Sequence, residues 1–285
     1  MIIIKNADQL SKILLTKKKK LNQIGFVPTM GALHHGHLAL LKKCRQQNDI
    51  SVFSIFVNPT QFNDAEDFKK YPVTVEKDIL LLEAAGCDIL FLPTVTEIYP
   101  AGTDKLPKYD LGFLETILEG KFRPGHFQGV CQVVHRLLQI ILPHKLYIGQ
   151  KDFQQCMVIK KLLALTGLDK EIKTEVTETI RESDGLAMSS RNKRLTAEAR
   201  KIAPLIANSL QQIKAELKPG ITGEIIQKSI SMLEYAGLKI DYIELANAET
   251  LERIENWNGK DKAIVLAAAY IGNVRLIDNV LINQN

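Results

Sequence analysis

The stretch Ile24–Leu38, IGFVPTMGALHHGHL, reads as a strand that hands over to a helix. Ile24, Gly25, Phe26 and Val27 form an apolar run of buried-strand character, and Leu38, Leu40, Leu41 and Cys44 then recur at the spacing of one helical face. The PTMGALHHGH segment between them occupies the turn. Unpaired backbone N–H groups and the positive end of the helix dipole collect there and favour anions. Gly31 and Gly36 carry no Cβ, so a bulky ligand can approach the backbone. His34 and His37 project to one side of a helical turn, where two imidazoles can donate hydrogen bonds to phosphate oxygens. A lone histidine at a helix start is ordinarily a cap or a surface residue, but a pair around a glycine after a strand favours a phosphate site. A zinc site using His34, His35 and His37 needs a further ligand at suitable spacing. No nearby cysteine or carboxylate cluster supplies one.

Outward from this stretch, apolar runs at Ile50–Val57, Asp88–Leu92 and Lys145–Gly149 read as further strands. Helical patterns cover residues 7–16, 74–85, 128–141 and 153–165, and Leu114–Gly120 reads as a short helix or loop. This alternation predicts an α/β fold, a Rossmann-like parallel sheet with helices on both faces and right-handed crossovers. Ligands of such sheets bind outside the carboxyl ends of the strands. The polar clusters fall at those ends. Asn58, Thr60, Gln61 and Phe62 follow the second strand; Gly149, Gln150, Lys151 and Asp152 follow the fourth, with Gln154 and Gln155 on the next helical turn. Singly, Gln61 reads as a loop residue and Lys151 as a surface charge. Their shared position predicts one pocket.

After Ser190 the texture changes to a long amphipathic helix over 196–217, a second over 222–236, and strand candidates at 239–246, 263–271 and 274–278. The expected organisation is a Rossmann-like domain over 1–179 and a smaller C-terminal α+β lid domain over 180–285. Two further segments carry cationic groups: KFRPGHF, with Lys121, Arg123 and His126 on a Gly/Pro turn, and MSSRN (188–192) at the domain junction. Several contributors are needed to hold a triphosphate. A helix terminus supplies only about 0.3–1 kcal/mol, and charge-assisted hydrogen bonds about 1.5–3 kcal/mol each.

The chain of 285 residues is 46% hydrophobic and 24% charged, with a formal charge of +5, partly from the run Lys17–Lys20. That run reads as a solvated helix end, and no basic stripe interleaved with aromatics points to nucleic acid. No apolar run approaches the ~18 residues of a membrane span, and the start lacks the pattern of a signal peptide. Four scattered cysteines predict free buried thiols in a reducing cytoplasm.

The HxGH pair and the distant MSSRN resemble the HIGH and KMSKS signatures of the nucleotidyltransferase superfamily. More narrowly, PTMGALHHGH, FVNPTQF, RPGHFQGV, GQKDFQQ, DGLAMSSRN and the late RLIDN resemble, in order and over nearly the whole chain, the pantothenate synthetase (pantoate–β-alanine ligase) family. His35 and Gln132 depart from the family pattern, standing where an acidic residue and a threonine are expected. The resemblance implies ATP-dependent joining of (R)-pantoate to β-alanine through a pantoyl adenylate, with Mg²⁺ accompanying ATP and Asp78 a weak candidate ligand to it. It implies a cytoplasmic homodimer acting on small molecules, without nucleic-acid or membrane partners.

By matching positions, His37, His34 and Lys151 are the expected catalytic residues. The ATP site would comprise the loop Met30, Gly31, Ala32, Leu33, His34, His35, Gly36 and His37, then Gly149, Gln150, Lys151 and Asp152, and finally Ile180, Met188, Ser189, Ser190 and Arg191. Gln61 and Gln155 would bond pantoate, Pro28, Met30, Phe62, Val130 and Val133 would pack its gem-dimethyl group, and Gln61 would also meet β-alanine. Asn58, Arg123 and His126 would assist. An adenylyltransferase with a phosphate-bearing acceptor is the alternative enzyme, but it would need cations where Gln61 and Gln155 stand. An RNA-binding module and a histidine-based metal protein are the alternatives of other classes.

Overall fold

The computed structural model describes residues 1–282. Six strands, β1 (Ile2–Ile4), β2 (Ile24–Thr29), β3 (Ile50–Ile55), β4 (Ile89–Phe91), β5 (Lys145–Gly149) and β6 (Lys173–Thr177), form a sheet in the order β1-β4-β3-β2-β5-β6. Every neighbouring pair is parallel. Successive side chains of a strand face opposite ways, and both faces are covered. Phe26 and Val52 enter one core with the helices Ala7–Lys19, His126–Ile141 and Phe153–Thr166, while Val27 and Phe53 enter another with His35–Gln47 and Val75–Ala84. The sheet is the expected doubly covered α/β type.

The chain builds outward from β2 through β3 and β4, then returns to β2's other side with β5 and β6. β2 and β5 therefore flank the topological switch point. Their pairing covers only Gly25–Phe26 against Lys145–Leu146, although β2 continues to Thr29 and β5 to Gly149. The ladder between them therefore stops short of the carboxyl ends that lead into the HHGH turn and the Gln150–Asp152 turn.

The two edge strands, β1 and β6, were not expected. β1 has only three residues, two of them exposed, and β6 (KTEVT) is polar and nowhere fully buried. An edge strand covers less of the core, so neither carries the apolar run that marks a central one. The helix expected over 196–217 is two, Ala197–Ile202 and Pro204–Glu216, because Pro204 has no N–H to continue the ladder and instead starts a new helix.

The chain forms two compact units, Met1–Gln150 with Gln154–Glu178, and Thr179 onward with the short stretch Lys151–Phe153. In the second unit β7 (Gly220–Ile221) pairs with β9 (Asn256–Trp257), and β8 (Lys239–Asn247), β10 (Ala263–Ile271) and β11 (Val274–Ile282) form an antiparallel sheet ordered β11-β10-β8. Its core joins Val265, Ala267 and Leu276 to Leu210 and Ile213 of Pro204–Glu216 and Leu233 of Gly223–Tyr235.

Candidate active site

The turn after β2 is built by its backbone. Gly31 has φ +85° and Ala32 φ +50°, and a Cβ on Gly31 would meet Ile55 Cγ2 at 3.0 Å and the Asp78 carboxylate at 3.1 Å. Left-handed conformation costs a non-glycine residue free energy and persists where surroundings hold it. Here Asp78, buried in the helix Val75–Ala84, accepts hydrogen bonds from Ala32 N–H and Leu33 N–H, both at 2.8 Å, and from the Thr74 hydroxyl at 3.1 Å. Both carboxylate oxygens are engaged by the loop. Asp78 thus anchors the loop, and among the described residues no group of three His, Cys, Asp or Glu side chains is disposed to hold a metal ion.

His34 is the N-cap of the helix His35–Gln47. Its Nδ1 accepts from Gly36 N–H at 3.2 Å, and His37 Nδ1 accepts from His34 N–H at 3.3 Å, with ring centroids 4.0 Å apart. A neutral imidazole whose Nδ1 accepts carries its proton on Nε2. Both rings are therefore set as Nε2–H donors at a helix N-terminus with no acidic residue in its first turn. His35, between them, is exposed.

The 3-10 turn Pro59–Gln61 follows β3 and is held from three sides. Asn58 Nδ2 reaches Gln61 Oε1 at 3.3 Å and Gly129 O at 3.1 Å, and the Tyr99 hydroxyl donates to Asn58 Oδ1 at 2.9 Å. Burial pushes the Tyr99 hydroxyl above its ordinary pKa. His126 Nδ1 lies 2.8 Å from Gln61 O and its Nε2 3.0 Å from Arg123 Nη1. A carbonyl only accepts and a guanidinium only donates, so this ring is the neutral Nδ1–H tautomer. Gln61 Nε2 then meets Met30 Sδ at 3.0 Å, which joins the second strand's turn to the first's. Val130 and Val133 are buried on the helix His126–Ile141, half-buried Phe62 packs edge-on against Phe68 and Tyr71, and Pro28 is half-buried in β2.

A model of the family described as pantoate-beta-alanine ligase matches residues 2–281. The chain belongs to that family. The pantothenate synthetase of Cytophaga hutchinsonii is 44% identical over 99% of both chains, and that of Acetivibrio thermocellus 45% identical over 99% of both. The crystal structure of pantothenate synthetase from Thermus thermophilus superposes with a TM-score of 0.87 at 37% identity, covering 98% of this chain and 99% of that one. That of the pantoate-beta-alanine ligase from Francisella tularensis, complexed with beta-gamma ATP and beta-alanine, gives 0.82 at 41% identity, covering 99% and 97%.

In this member of the pantoate-beta-alanine ligase family the two adjacent glutamines after β5 have parted roles. Gln154 is buried and ties down the segment before Arg123, accepting from Glu119 N–H and donating to Leu114 O and Ile117 O. Gln155 is half-buried, with no side-chain hydrogen bond among the described residues. Gly149 ends β5 and Gln150, the first residue of the 3-10 turn after it, closes that stretch of the first unit, while Lys151 and Asp152 belong to the second unit. There, Met188 N–H donates to Ile180 O at 3.0 Å across a hairpin that also pairs Arg181 with Ala187. Ser189 caps the 3-10 turn Ser190–Arg194 by accepting from Arg191 N–H. Gln132, the departure from the family pattern, donates to Pro107 O. Tyr99 and Asn279, which contact predicted site residues, were not singled out from sequence. Both lie in ordinary apolar surroundings along the chain, and only the late RLIDN hinted at the second.

Proposed function

We propose that this ligase condenses (R)-pantoate with β-alanine, consuming ATP and releasing AMP and diphosphate. The observation that carries the reading is the pair of Nε2–H imidazoles at an acid-free helix N-terminus, next to a turn that presents a neutral amide beside a thioether. The first suits phosphates; the second suits a branched hydroxy acid, and a phosphate-bearing acceptor would call for cations there.

The pantoate carboxylate attacks the α-phosphorus, diphosphate leaves, and the β-alanine amine then displaces AMP from the acyl carbon. The enzyme supplies no covalent nucleophile. Its work is alignment and charge stabilisation. His34 and His37 donate to phosphate oxygens, Lys151 meets the charge developing at the α-phosphate, and Ser189, Ser190 and Arg191 hold the departing diphosphate. Ile180 and Met188 line the adenine side. Gln61 and Gln155 bond pantoate, with Met30 and Val133 against its methyl groups. Mg²⁺ neutralises the triphosphate through ATP's own oxygens. The family and the four buried thiols support a cytoplasmic enzyme, and the family a homodimer.

Incubation with ATP, Mg²⁺, pantoate and β-alanine is expected to release AMP only with all four present, and diphosphate without β-alanine. AMP release that ignores pantoate would sink the reading. Gln61→Ala is expected to weaken pantoate binding far more than ATP binding; equal losses would remove Gln61 from the acid subsite.

A further inference from the structure

The RLIDN motif has no part in the chemistry above, yet its last two residues sit where a strand ordinarily holds apolar side chains. Asp278 and Asn279 are 4% and 2% exposed, and with Val280 they break the in–out alternation of β11. Buried polar groups are tolerated when hydrogen-bonded, and their partners identify what they hold. Asp278 receives a bidentate pair from Arg181, at 2.6 and 2.9 Å, and Arg181 also bonds Gly185 O and Asn279 O. That clamps the hairpin carrying Ile180 and Met188. Asp278 also accepts from Asn279 N–H at 2.7 Å. Asn279 Nδ2 donates to the main-chain oxygen of Lys151 at 2.9 Å, across 128 positions of sequence.

Lys151 lies in the single-turn 3-10 segment Gln150–Asp152, between β5 and the next helix. It groups with the second unit. The Asn279 amide therefore fixes the Lys151 peptide plane, and with it the direction in which the lysine side chain leaves the backbone.

We propose that Asn279 is a positioning residue for Lys151, and that the buried end of RLIDN sets the aim of the lysine in adenylate formation. The inference rests on the role assigned to Lys151 above. An Asn is required because the site needs a donor toward Lys151 O; a same-sized acid would face that oxygen with another acceptor.

The test measures the two half-reactions separately in Asn279→Ala and Asn279→Asp, each checked for folding by circular dichroism, beside Lys151→Ala. Adenylate formation, read as diphosphate release without β-alanine, is expected to fall about 10–100-fold, as for a catalytic group displaced by ~1 Å. The KM values for ATP and pantoate, and the reaction of supplied pantoyl adenylate with β-alanine, are expected to stay within about threefold, since a transition-state contact is lost rather than uniform binding. A folded variant with normal diphosphate release, or one in which both half-reactions fall together, overturns the proposal. Lys151→Ala separates the premises. If it keeps turnover, the role of Lys151 fails and the proposal with it; if it is inactive while the Asn279 variants are normal, only the positioning role fails.

Discussion

Asp78 illustrates how a residue's chemistry depends on what faces it. As a carboxylate beside the proposed phosphate loop it suggests a metal ligand, and what the fold shows it doing is accepting from the N–H groups of Ala32 and Leu33. Asp78→Asn keeps the size and turns an amide donor toward one of those N–H groups. It is expected to lose about 1–3 kcal/mol in urea denaturation, the cost of an unsatisfied buried group, and to weaken ATP binding more than pantoate binding by titration calorimetry. Unchanged ATP affinity would show that the loop keeps its shape without the anchor. Tyr99→Phe removes the donor that orients Asn58 and leaves the ring. One hydrogen bond of about 1 kcal/mol predicts a roughly fivefold rise in the pantoate KM with the ATP KM unmoved. Sequence marked Asn58 and Gln61 because they cluster after a strand; Tyr99 reaches the same network from 41 positions away.

At the scale of elements, the site depends on how closely the helix His126–Ile141 approaches the Pro59–Gln61 turn. A Cβ on Gly129 would stand 2.2 Å from Thr60 O and 2.5 Å from Gln61 Cα, both backbone atoms that cannot swing aside. Gly129→Ala is expected to push the turn off the helix and raise the pantoate KM by about tenfold or more, measured in steady state with ATP saturating. A KM within error of the parent's would mean the turn shifts without consequence. The central strands were legible as continuous apolar runs buried on both faces, and the longer helices because each buries a periodic face. β1 and β6 were not, since edge position relaxes that demand, and amphipathic spacing running across Pro204 masked the break there.

For the whole molecule, burial pushes the thiols of Cys44, Cys87 and Cys131 from 9.0 up to about 12. Their folded pKa lies above the unfolded one, so their contribution to stability is complete below pH 9 and is lost as pH rises toward 12. Each thiol contributes a slope of at most about 1.4 kcal/mol per pH unit. Thermal melts are expected to hold steady to pH 8.5 and fall beyond it, and native protein at pH 8 is expected to resist thiol reagents until denaturant is added. A flat melting temperature up to pH 10.5 would contradict this. All three cysteines lie in the first unit, so the loss belongs there.

Local order and chemical character were settled by the chain alone: where strands alternate with helices, which motifs close each strand, and the family they resemble. Periodicity and motif spacing are properties of neighbouring residues, and they survive in a one-dimensional string. The structure alone decided the tautomers of His34, His37 and His126, the anchoring role of Asp78, the division of labour between Gln154 and Gln155, and the tie from Asn279 to Lys151. The histidine pair's tautomers rest on contacts two and three positions apart in the folded turn, and the others on polar atoms that meet across as many as 46, 65 or 128 positions of chain. Only packing brings such atoms within hydrogen-bond distance.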